Sequence, residues 1–93
     1  MRLNIKAVAI TLGIVWGGAM LFVLTANWLT GGAGGYGESF ITVMASVYPG
    51  LTAGGGVSSI IVGTIYGALD GAIGGAIVAW IYNKVLDRTT AAP

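Results

Sequence analysis

Apolar positions run almost unbroken through two stretches of this chain. Charges fall only at Arg2, Lys6, Glu38, Asp70, Lys84, Asp87 and Arg88, which leaves residues 7–37 and 39–69 uncharged. Residues 7–29 are apolar, small or weakly polar, and 23 helical residues at about 1.5 Å each cover roughly 35 Å, enough for a hydrocarbon core of about 30 Å. This predicts a first transmembrane helix. A secretory leader would also carry Arg2 and Lys6 ahead of its apolar run, but that run is about 7–15 residues long and ends in a small-x-small site. The longer run here favours a retained span.

Residues 30–38 contain five glycines, too dense a run for a helix to continue through. Ser39 can then cap a short helical piece in which Phe40, Val43, Met44 and Val47 recur at helical spacing before Tyr48-Pro49-Gly50 ends it. About nine residues cannot cross a bilayer. With Tyr36, Phe40 and Tyr48 around it, the piece is expected to lie flat at the headgroup level. A second glycine break at residues 53–56 precedes a second span at residues 58–82, interrupted by one charge, Asp70. That helix continues through Lys84 to Arg88. The tail ending at Pro93 has nothing to bury and is expected to be disordered.

The predicted fold class is therefore all-α integral membrane. It is a two-helix transmembrane hairpin in one membrane domain (1–93): span 7–29, glycine-rich loop with an interfacial helix 30–57, span 58–82 and tail 83–93. Lys and Arg stay preferentially on the cytoplasmic side, and all four basic residues flank the hairpin. Both termini are expected in the cytoplasm of a bacterium, the protein in its inner membrane, and the loop outside. Trp28, Tyr36 and Tyr48 would then form the outer aromatic belt and Trp80 and Tyr82 the inner one.

Composition removes the alternatives. The chain is 56% hydrophobic with 17 glycines among 93 residues, and only 8% is charged, against about 25% in soluble domains. It has no histidine and no cysteine, so zinc sites, thiol catalysis and serine–histidine hydrolysis drop out. Glu38 and Asp70 lie half a membrane apart, too far for a paired-carboxylate site. The glycine stretches lack the Lys-Ser/Thr of a phosphate loop. Neither an enzyme nor a cofactor is expected. Net charge is +1, without a basic cluster for nucleic acid. The partners implied are the lipid bilayer and either further copies of the chain or a larger membrane complex.

Gly63, Gly67, Gly71 and Gly74 fall near one face of the second helix, together with Ile60, Thr64, Asp70 and Val78. Ile61, Ile65, Leu69, Ile73 and Trp80 fall on the other. Small residues at four-residue spacing let helix backbones approach closely in lipid, where no hydrophobic force joins helices. Gly13 and Gly17 give the first helix a smaller counterpart beside Ile10, Met20, Leu21 and Leu24. Pairing Ala7 with about Tyr82 would set Gly17 near the depth of Asp70, and the same faces are expected to build an oligomer. Asp70 itself sits at the centre of its span, where an ionised carboxylate costs several kcal/mol unless it meets protein or water. It can be a neutral carboxyl donating a hydrogen bond between helices, a group lining a wet path, or a proton carrier. Trp16, Thr64 and Tyr66 are the potential partners at similar depth.

Three blocks carry a resemblance: Leu3-Asn4-Ile5-Lys6-Ala7 with Gly13-Ile14-Val15-Trp16-Gly17, the turn Val47-Tyr48-Pro49-Gly50, and the long run from Gly63-Thr64-Ile65-Tyr66-Gly67 through Ala68-Leu69-Asp70-Gly71 to Trp80-Ile81-Tyr82-Asn83. Together they resemble small bacterial two-span membrane proteins catalogued as bacteriophage holins, over most of the chain. The resemblance implies oligomers that open a pore in the inner membrane. It departs from the family in its basic tail, which is reduced to Lys84 and Arg88. Two further functions compete: a structural or accessory subunit without a pore, and a proton-carrying hairpin similar to the rotor subunit of rotary ATP synthases.

Overall fold

A computed structural model of the protein describes residues 2–89, which form three helices in the order α1 (Ile5–Leu29), α2 (Glu38–Ala45) and α3 (Gly56–Thr89). Residues 90–93, which hold most of the tail expected to be disordered, lie outside the described residues. No strand occurs among those described. α1 and α3 are both long and apolar enough to cross a membrane. Less than a quarter of either apolar stretch is buried within the chain, so these are not core helices wrapped by their own protein. Ile14 is 70% exposed and Ile73 61%, so both long helices present an apolar exterior.

Local chemistry sets the helix ends. Asn4 caps α1 by accepting a hydrogen bond from the Ala7 N–H at its side-chain oxygen (3.0 Å), which starts the helix two residues before the predicted span. Past Leu29 the Thr30 N–H returns to the Ala26 and Asn27 carbonyls, and Gly31 and Gly32 take positive φ of 110° and 72°, conformations that suit glycine. α2 begins at Glu38 after the left-handed Gly37, so Ser39 is not its cap. Instead the Glu38 carboxylate reaches back to accept from the Gly34 N–H. α3 is one continuous helix from the second glycine break to Thr89.

The two long helices pack antiparallel along one another through backbone-close contact. A Cβ placed on Gly67 would come within 3.2 Å of the Trp16 carbonyl oxygen, and one on Gly75 within 2.9 Å of that of Val8. At Gly71, between them, an added methyl would overlap the Leu12 carbonyl. Every fourth residue of α3 thus faces every fourth carbonyl of α1. In return Gly13 and Gly17 receive Ala68, whose Cα lies 3.2 Å from a Cβ placed on Gly17. The observed register, Gly17 against Ala68 and Leu3 against Asn83, differs by three or four residues from the predicted pairing of Ala7 with Tyr82.

The contact stripe also differs from the predicted one. Gly74 meets nothing within 4 Å, whereas Gly75 is in contact, and Ser59, Gly63, Gly67, Gly75, Ala79 and Asn83 are the buried positions of α3. At about 100° per residue a four-residue step gains roughly 40° per turn. The seam therefore winds around α3 and leaves Gly74, Asp70 and Val78 on its flank. Of the residues assigned beside the α1 glycines, Met20 and Leu24 are buried while Ile10 and Leu21 stay exposed.

Polar clamps close both ends. Asn27, 3% exposed, donates to the Gly32 and Tyr36 carbonyls (2.7 and 2.9 Å) and accepts from the Gly54 N–H, tying the two glycine breaks together. At the far end Asn83 accepts from the Leu3 N–H and donates to the Leu3 carbonyl, both at 2.8 Å. The Arg2–Asp87 ion pair lies beside it; being exposed, it contributes little. These contacts predict that Gly71→Ala destabilises the hairpin by about 1–3 kcal/mol, the range for overpacking. Gly18→Ala, at a position with nothing within 4 Å, is expected to be neutral. Unfolding followed by circular dichroism in mild detergent checks both.

Candidate functional site

The connecting segment does not lie across the end of the hairpin. It folds back along it: Gly37 is beside Val23, the Phe40 ring meets Trp16 edge-on at 6.3 Å, and Ile41 is fully buried. After the Tyr48-Pro49-Gly50 turn the chain climbs again, with Leu51 packed near Gly63. The Ser59 hydroxyl donates to the Thr52 carbonyl at 2.9 Å and accepts from the Thr52 N–H. The apolar cluster of Met20, Leu24, Ile41, Tyr48 and Leu51 fills the angle between segment and helices.

This fold-back brings Tyr48 to Asp70. The Trp16 Nε1–H donates to the Tyr48 oxygen at 2.8 Å, and the Tyr48 O–H donates to Asp70 Oδ2 at 2.7 Å. An indole can only donate, so the Tyr48 oxygen accepts from Trp16 and directs its own proton to the carboxylate. Asp70 accepts at Oδ2 at the end of this relay. The Tyr66 ring stacks on Tyr48 at 5.4 Å and 14° between planes, and so orients the phenol without bonding the acid. Thr64 Oγ1 is buried without a hydrogen-bond partner among the described residues.

Asp70 is nevertheless exposed on the outside of the hairpin. It borders a shallow groove of about 370 Å³ between the helices, lined by Leu12, Val15, Trp16, Gly71, Gly74 and Val78. The sequence-assigned residues thus divide into three groups. Gly13, Gly17, Gly63, Gly67 and Gly71 meet the opposite helix or its side chains; Gly74 and Asp70 remain on the open flank; Trp28, Trp80 and Tyr82 are exposed near the helix ends. Tyr48, assigned to the outer belt, is 4% exposed and sits in the relay. Its part was missed because the 22 residues between Tyr48 and Asp70 carry no periodic link. The available signal was length: connections between antiparallel helices usually take about 2–8 residues, and this far longer one must pack somewhere.

Compared with known protein families, curated proteins and solved structures, the chain matches none.

Removing the Tyr48 hydroxyl leaves both the Trp16 donor and Asp70 without their partner. Tyr48→Phe is expected to lower stability by about 1–3 kcal/mol, the usual cost of an unsatisfied buried group. Tyr36→Phe, which keeps the ring contact with Phe22, is expected to be neutral. Asp70→Asn retains an acceptor oxygen and should keep most of the relay's stability. Denaturant titrations of the three variants in detergent, read by tryptophan fluorescence, separate them.

Proposed function

We propose that this protein is a small two-span protein of the bacterial inner membrane, both termini cytoplasmic, that self-assembles in a holin-like manner along the flank bearing Asp70 and Gly74. The observation that carries this reading is the exposed Asp70 beside a glycine with no neighbour. An aspartate at the centre of a span costs about 2.5–3.5 kcal/mol or more when it faces lipid. Tyr48 supplies one hydrogen bond and leaves the second carboxylate oxygen without a protein partner among the described residues. A second copy, or water held between copies, removes that cost, and the bare backbone at Gly74 permits close approach. Copies arranged this way line a hydrated path with carboxyl groups, the arrangement a pore requires.

A non-pore, structural or accessory role is the second reading, favoured by the Tyr48–Asp70 bond, since a carboxylate that anchors the connecting segment has a structural use already. Oxidative cross-linking tests assembly: Gly74→Cys should give dimers in native membranes, while Ile65→Cys, half a turn away on α3, should not. Equal cross-linking would remove the flank from the interface. Liposome flux then separates the two roles. In the pore reading wild-type protein passes dye or protons and Asp70→Asn stops it, whereas assembled wild type that passes neither supports the accessory role. For topology, reporters fused to both ends should read cytoplasmic and a cysteine at Gly34 should react with an impermeant reagent from outside; ends of opposite sidedness would sink the hairpin.

A further inference from the structure

Near its C-terminal end α3 carries a second groove, of about 530 Å³, lined by Trp80, Ile81, Lys84, Val85, Arg88 and Thr89. Its polarity runs along the helix. Trp80 and Ile81 stand at the end toward the predicted span, and Lys84 and Arg88, one turn apart, stand toward water. Neither cation forms an ion pair among the described residues, because the neighbouring acid, Asp87, is taken by Arg2. Lys84 instead places its Nζ 5.7 Å from the centre of the Trp80 ring, which keeps the ammonium over the groove. Two unneutralised cations above an apolar floor match the layout of an anionic phospholipid, with its phosphate at the water end and its acyl chains below.

We propose that this groove binds the headgroup phosphate of an anionic phospholipid, held between Lys84 and Arg88 with the glycerol and upper acyl chain against Trp80, Ile81 and Val85. The inference rests on the membrane reading above. Basic side chains at the cytoplasmic ends of spans attract anionic lipid through the same charge complementarity. The indole prefers the level at which headgroup and acyl chain meet. Lys6 on α1, the other cation without an ion pair among the described residues, does not line this groove and serves as the control.

Native mass spectrometry of the full chain, released from detergent containing equal amounts of phosphatidylglycerol and phosphatidylcholine, tests the proposal. Wild type should retain phosphatidylglycerol preferentially. The Lys84→Gln/Arg88→Gln double variant should lose that preference by about thirtyfold, the scale set by two surface cations, and Lys6→Gln should keep it. Circular dichroism confirms that the variants remain helical. Unchanged preference in the double variant, an equal loss in Lys6→Gln, or displacement of the lipid by inorganic phosphate at matched concentration would overturn the site. Equal retention of both lipids would overturn it while leaving the membrane reading intact; retention of neither would overturn both.

Discussion

The close approach of two helix backbones is the constraint on which the rest of this molecule depends. Gly67, Gly71 and Gly75 of α3 lie against the carbonyls of Trp16, Leu12 and Val8 of α1, and Met20 and Leu24 of α1 pack over Gly67 and Gly63, so close backbone approach together with these two side chains sets the register of the hairpin. In lipid the apolar exterior gains nothing from burial, and helices associate through van der Waals contact and weak polar contacts over small residues. Dispersion falls off steeply with distance, which is why even one methyl in the seam matters. The two buried asparagines then act where the glycines cannot. Asn27 and Asn83 each satisfy backbone groups of the neighbouring segment, and they hold the chain together at the two ends of the seam.

A seam this tight has a second consequence: it takes Met20 and Leu24 over Gly67 and Gly63 but leaves no room for an indole ring. Trp16 leaves the interface on one side, and on that side Asp70 also emerges. The space between them is closed by the connecting segment, whose Tyr48 accepts from one and donates to the other. The polar relay is thus a by-product of glycine packing, because it forms in the angle that two closely paired helices leave open. It also fixes the segment. The fold-back is held by the relay at its tip, by the Ser59–Thr52 pair on the way out, and by Asn27 at its root, so a stretch rich in glycine acquires a single path.

What remains outside is almost wholly apolar, and the exceptions are informative. Asp70 with Gly74 marks one flank, and Lys84 with Arg88 marks the end of α3. The first is a polar group that lipid alone does not satisfy, placed beside bare backbone. The second is a pair of cations that the chain's own acids do not neutralise. These two places are the ones on which the proposed assembly and the proposed lipid site rest.

Two long apolar helices, the glycine breaks between them, and close packing through Gly13, Gly17, Gly63, Gly67 and Gly71 were legible from local information, because apolar length and four-residue spacing are properties of a single helix. The register came within three or four residues, about one helical turn, since antiparallel helices leave few choices. The fate of Gly74 and Asp70 was not legible. A projection at fixed angle treats the contact face as straight, whereas the four-residue seam winds, and by the depth of Asp70 it has turned far enough to leave that residue outside. Nor could the sequence place Tyr48, which aromatic character alone assigned to a membrane surface. Its hydroxyl meets Asp70 only because the segment folds back, and that path is chosen by packing against a hairpin that must exist first. Sequence determined what each helix is; the tertiary structure decided which side chains meet between them, because that depends on the winding of one helix about the other.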